Sequence, residues 1–233
     1  AMRERLAALG VPAAHIHVLP MGVDLSERFT PDPAVQRSTR EILFVGRLVE
    51  KKGLRHLIDA MPLVLERVHD AFLTIAGFGP EEAALRQQVH ALGLAAKVRF
   101  LGAVPQAELP ALYRRAALFV APFVQAASGD QEGLGLVLVE AIGCGCPVLV
   151  GDVPAVAEVL GSSMADLTVQ AWDAEALAIR MVAVLRSPMA AYKQAEQLRA
   201  DCQLRFDWRG VGGRYSKLLE NKRQPVASVQ TAR

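Results

Sequence analysis

The sequence predicts a Rossmann-like α/β fold in one domain: a doubly wound parallel sheet with helices on both faces. Three observations carry the prediction. Short apolar runs bounded by turn residues recur along the chain, at 41–46, 71–76, 97–101, 118–121 and 147–150. Runs of that kind are what strands buried on both faces look like. Between them, apolar residues recur at spacings of three and four, the period of a helix with one buried face. The alternation repeats about five times without interruption, which calls for right-handed crossovers and a parallel sheet.

The elements follow in order. Residues 1–15 read as a short helix ending near Gly10, and 16–19 as a strand stopped by Pro20. The stretch 22–36 is loop, with Pro31 and Pro33 as breakers. After the strand at 41–46, Gly53 precedes a helix whose Leu54, Leu57, Ile58, Met61, Leu65 and Val68 form one apolar face. The strand at 71–76 closes on Gly77-Phe78-Gly79-Pro80, and Pro80 with Glu81 and Glu82 opens a helix to about Leu92. A strand at 97–101 ends at Gly102. A helix at 106–116 leads into the strand at 118–121. Beyond 147–150 come a short helix at 156–160, a strand at 166–169, and helices from 173 to 221 broken near Ser187-Pro188 and Gly210. The domain is expected to span 1–221, with 222–233 a polar, aperiodic tail.

Composition narrows the function classes. The net charge is +2, so neither nucleic-acid binding nor general attraction to a membrane surface is indicated. No apolar run is long enough for a transmembrane helix. The three cysteines, Cys144, Cys146 and Cys202, fit neither a zinc nor a redox motif and read as buried thiols of a reducing compartment. The five histidines are scattered without metal-ligand spacing, and no metal site is expected. There is no nucleophile elbow and no Walker A sequence. Trp172 and Trp208 read as packing residues on the C-terminal helices.

In an open parallel sheet, ligands bind outside the carboxyl ends of the strands, so the loops that follow strands hold the candidates. The loop at 46–53 carries Arg47, Lys51 and Lys52, chemistry that suits a phosphate. Taken alone it reads first as a solvated loop, Lys51 most of all. Gly77 and Gly79 form half of a dinucleotide fingerprint, lacking the third glycine and the ribose acid, and read as a tight turn beside a ligand. The stretch 128–141 is the sharpest feature: a loop, Gly133, Leu134, Gly135, Leu136 and an apolar helix, flanked by Glu132 and Glu140. Backbone N–H groups at such a helix start face anions. Glu140, inside an apolar segment, requires partners, and vicinal hydroxyls of a ligand, a buried arginine or backbone N–H groups would supply them.

The order of these motifs resembles the donor-binding domain of retaining GT-B glycosyltransferases of the "glycosyl transferases group 1" type. Leu19-Pro20-Met21-Gly22-Val23-Asp24, Phe44-Val45-Gly46-Arg47-Leu48 with Lys52-Gly53, Ile75 to Pro80, Val98 to Val104, and Glu132 to Glu140 as an E-x7-E motif carry the resemblance, which runs from about Val18 to Val150. It implies that Arg47 and Lys52 neutralise the donor diphosphate and that Glu140 holds the ribose hydroxyls. It implies further that Glu132 contacts the transferred sugar, that Gly133 to Leu136 line the sugar and phosphate, and that Val98 and Gly102 border the base. It implies no cofactor and no metal, with a nucleotide-diphosphate sugar as donor. Met21 stands where the family usually has Asn, and 151–158 departs from its usual Gly-Gly turn.

Only the second half of a GT-B fold is evident. The expectation is therefore a donor-binding half that transfers a sugar, with retention, to a glycan or lipid-linked acceptor, and that is inactive without an N-terminal acceptor domain. A non-catalytic nucleotide-sugar binding module is the alternative, and the incomplete glycine motif argues against a nicotinamide oxidoreductase. The expected location is cytoplasmic, including the inner face of the membrane, where the parent protein would supply any peripheral contact.

Overall fold

The structure is a computed structural model and describes residues 2–223. Six parallel strands form one sheet in the order β3-β2-β1-β4-β5-β6. They are β1 (Glu41–Val45), β2 (Phe72–Ala76), β3 (Val98–Gly102), β4 (Leu118–Ala121), β5 (Val148–Gly151) and β6 (Thr168–Val169). The order reverses between β1 and β4, where the chain has wound outward first on one side and then on the other. That reversal opens a crevice at the carboxyl ends of these two strands.

Alternate residues of each strand serve opposite faces. Ile42, Phe44, Leu118, Val120 and Leu149 pack under α2 (Leu54–Arg67), α3 (Glu82–Ala91) and α8 (Ala174–Arg186). Leu43, Val45, Phe119, Ala121, Val148 and Val150 pack under α4 (Leu109–Arg115), α5 (Leu136–Gly143) and α9 (Pro188–Phe206). Helix α1 (Met2–Ala8), the short α6 (Ala157–Leu160) and α7 (Met164–Leu167), and α10 (Trp208–Arg223) complete the described chain.

Several local expectations are corrected. Residues 16–19 form no strand, because their extended backbone finds no neighbour to pair with among the described residues and is largely exposed. Strand β6 is only Thr168–Val169, since Asp166 and Leu167 close α7. The fourth helix starts at Leu109 rather than near Gln106. The last break falls at Asp207, and Gly210, Gly212 and Gly213 all lie inside α10. Asp207 wins because it is held extended: Val23 N–H donates to Phe206 O at 2.9 Å, Trp208 N–H donates to Val23 O at 2.9 Å, and the Asp207 carboxylate accepts from Leu25 N–H and Ser26 Oγ. The same carboxylate accepts from Arg209 N–H at 3.0 Å, capping the helix that follows. Trp172 and Trp208 are 67% and 56% exposed, so neither is a core residue, although Trp208 lays its ring against Gly22. Helix α10 runs to Arg223, and the remainder of the expected tail lies outside the described residues.

Candidate functional site

Two loops meet at the crevice. The loop after β1 turns through a short 3-10 segment, Glu50–Lys52, and enters α2 at Gly53 in left-handed conformation (φ 67°). A Cβ at Gly53 would stand 1.8 Å from Pro122 O, the first residue after β4. On its other side the loop is met by the turn after β2, where a Cβ on Gly77 would stand 1.8 Å from Gly46 O. The absence of side chains at these two positions lets three strand-following loops pack backbone to backbone. Gly77 and Gly79 are thus close to other parts of the protein itself, Gly79 lying against the backbone of Leu48.

Side chains tie the same loops together. Lys52 Nζ lies 2.5 Å from Glu132 Oε2, with both side chains nearly buried at 13% and 12% exposure, and 4.8 Å from the centroid of the Phe123 ring. Glu132 Oε1 accepts from Gly133 N–H at 3.1 Å. Lys51 is no freely solvated cation: Nζ reaches Asp130 Oδ2 at 3.0 Å and donates to Gln131 O at 3.2 Å, and its hydrogen bond and charge hold the Asp130 carboxyl below the usual carboxylate range. Glu50 Oε1 accepts from Ala127 N–H at 2.9 Å. Three consecutive residues of one loop thereby brace the loop that delivers Glu132. The Arg47 side chain is exposed and makes no ion pair or hydrogen bond among the described residues.

Glu132 leads into α5, whose N-cap Gly135 is left-handed at φ 70°. The first N–H groups of the helix lack acceptors within it and point toward the crevice end. Just over one turn along, Glu140 is buried, at 6% exposure. Its partner comes from α4, where the Tyr113 hydroxyl donates to Glu140 Oε2 at 3.1 Å. Burial pushes the Glu140 carboxyl above its usual value, opposed by hydrogen bonds from Tyr113 and Gln106 and by the charge of Arg28. Burial, with the carboxylate beside it, pushes the Tyr113 phenol well above the ordinary tyrosine range. Among the described residues no group of three or more His, Cys, Asp and Glu is placed to hold a metal ion. No helix among them is long and apolar enough to cross a membrane.

Residues 27–202 match the family of Glycosyl transferases group 1. The chain belongs to that family. It is 33% identical over 232 residues to a GDP-mannose-dependent α-(1-6)-phosphatidylinositol monomannoside mannosyltransferase of Mycolicibacterium smegmatis, covering 95% of this chain and 60% of that protein. It is 36% identical over 235 residues to a phosphatidyl-myo-inositol mannosyltransferase of Mycobacterium leprae, covering 100% of this chain and 60% of that protein. Among solved structures, Anabaena Alr3699/HepE in complex with UDP superposes with a TM-score of 0.79 at 22% identity over 94% of this chain and 61% of that one. The C-terminal domain of LpcC, a group 1 protein of Francisella tularensis, superposes at 0.69 with 21% identity over 80% of this chain and all of that one. The fold is therefore that of a GT-B C-terminal domain, and the chain spans about three-fifths of the length of the full-length relatives it matches.

Within this group 1 domain, most of the expected site residues gather at one place. Gly46 lies beside the Lys52 stem, and Glu132, Gly133, Leu134, Gly135 and Leu136 follow on the adjoining loop. Gly102 O accepts from Gly77 N–H at 2.7 Å, which puts the β3 end beside the β2 turn. Val98 is the exception. It pairs with Leu73 at the amino end of β3, whereas Gly102 pairs with Ala76 at the carboxyl end. Four residues of strand put roughly 13 Å between them, and Val98 is a core residue under α3. Its expected place beside a base is corrected. Tyr113, Gln106, Phe123 and the Glu50–Lys51 brace were missed in the sequence. Gln106 carried one legible signal, its place at the end of a strand-following loop.

Proposed function

We propose that this chain is the donor-binding half of a glycosyltransferase that takes a sugar from a nucleotide-diphosphate donor, with the diphosphate between Arg47, Lys52 and the start of α5. The observation that carries the reading is the convergence at the sheet's reversal point: two cations, a helix N-terminus and two carboxylates of different burial. Arg47 is open to solvent and available to an incoming phosphate. Lys52 is held by Glu132, and a diphosphate would share or take over that cation. When the sugar C1–oxygen bond breaks, negative charge grows on the departing diphosphate, and cations fixed beforehand stabilise it without reorganisation. Glu140 would accept hydrogen bonds from the ribose, and Glu132 would face the transferred sugar. No metal is assigned a role, so activity should survive a chelator.

The names of the relatives favour GDP-mannose as donor and a phosphatidylinositol-linked acceptor; transfer with retention, in a longer protein, is the reading that the motif resemblance adds. Binding the acceptor, and any contact with a membrane, would fall to the part of such a protein outside this chain. The test is calorimetric titration of the chain with GDP, UDP and ADP, repeated for Arg47→Ala and Lys52→Ala. Each substitution is expected to weaken nucleoside diphosphate binding by ~1.5–3 kcal/mol. Unchanged affinity in both variants would sink the diphosphate assignment.

A further inference from the structure

Glu140 owes its geometry to a side chain that sequence motifs do not single out. Tyr113 is fully buried, its ring tilted against Phe29 at 6.3 Å and edge-on to Phe119 at 5.5 Å. A phenylalanine would fill that space equally well. The hydroxyl requires a partner once buried, and its partner is Glu140 Oε2 at 3.1 Å. Because α4 and α5 pack directly on each other, a ring locked on α4 fixes where the carboxylate on α5 can point.

We propose that Tyr113 is the positioning residue for Glu140, its hydroxyl occupying one carboxylate oxygen so that the other is presented to the vicinal hydroxyls of a ribose. The inference rests on the assignment of Glu140 to the donor ribose. Two further facts support it. The segment before α4 brings Gln106 to the same carboxylate, so the grip is assembled from one helix and the loop that precedes it. And a carboxylate this enclosed drifts toward its neutral form unless donors face it. The groups that face it are Tyr113 and Gln106 from the α4 side and Arg28 from the segment before β1. The Cys144 thiol, just past the end of α5, lies near both Tyr113 and Glu140, and Cys146, Arg37 and Arg114 surround that thiol in turn. Tyr113 opposes the drift without placing a cation where a sugar must lie.

The test titrates the unmodified chain, Tyr113→Phe and Glu140→Gln with GDP and with 2′,3′-dideoxy-GDP, from acidic to neutral pH. Tyr113→Phe is expected to weaken GDP about five- to tenfold while leaving dideoxy-GDP unchanged. The acid limb of GDP binding should move to higher pH, because the carboxylate loses a donor to its charged form. Unchanged dideoxy-GDP binding also reports that the variant is folded. Equal weakening of both nucleotides would reduce Tyr113 to packing and overturn the proposal. So would unchanged GDP affinity in Tyr113→Phe alongside weakened affinity in Glu140→Gln. If Glu140→Gln itself binds GDP as before, the ribose assignment fails first and this inference with it.

Discussion

At the scale of single residues, the two glutamates differ in what holds them, and their substitutions should differ in kind. Glu132 neutralises Lys52, so Glu132→Gln should release the cation and tighten nucleoside diphosphate binding several-fold, read by titration. Glu140 is held by burial above its usual value, with the ordinary carboxyl near 4.5. The unfolded chain then loses its proton before the folded one does. Stability contributed at this position falls as pH rises from about 4.5 through the raised folded value, and stays low above it. Glu140→Gln should therefore melt at a higher temperature than the parent at neutral pH, and the gap should close in acid. A variant that is more stable yet binds nucleotide more weakly would mark the carboxylate as kept for binding. Both glutamates were legible, Glu140 because a charge inside an apolar run asks for an explanation and Glu132 because it stands before a glycine-containing turn at a helix start. Tyr113 was not, since its partner lies 27 positions away and nothing local distinguishes its hydroxyl from packing. Lys51 was misread for the same reason: its partner Asp130 is 79 positions distant.

At the scale of elements, the loops after β1, β2 and β4 form one backbone-packed unit, and glycine is its condition. Gly53→Ala would force a side chain into the carbonyl of Pro122 while keeping φ at 67°. A loss of about 2–4 kcal/mol is expected, measured by chemical denaturation. The junction of α9 and α10 gives a second case. Asp207→Ala removes the acceptor for Leu25, Ser26 and Arg209 together, and hydrogen exchange should rise first in residues 23–29. Strands and most helices could be read from period and turn residues. The position of this last break could not, because glycine propensity pointed to Gly210 while a contact with Val23, far away in the chain, decided for Asp207. The strand expected at 16–19 failed in the opposite way: its pattern is strand-like, but the six-stranded sheet closes without it.

For the whole molecule, strand order is what creates a site. Outward winding in two directions leaves the β1 and β4 loops as neighbours, and Lys52 and Glu132, 80 positions apart, meet there. The chain that does this spans about three-fifths of its full-length relatives. The expected outcome is an isolated chain that binds a nucleoside diphosphate but transfers no sugar from GDP-mannose to a phosphatidylinositol mannoside. Robust turnover by this chain alone would contradict that division of labour.

The pairing of Lys52 with Glu132 has one more consequence, for how the protein responds to electrolyte. A bare lysine in a crevice gathers chloride or phosphate from the buffer, and an arriving ligand must displace it. Here the counter-ion is covalently part of the chain, so little is exchanged with the medium at this position. Binding of a nucleoside diphosphate should consequently weaken only gently as sodium chloride is raised, the residual slope coming from exposed Arg47. In Glu132→Gln the slope should steepen, and the tighter binding predicted for that variant should fade as salt rises.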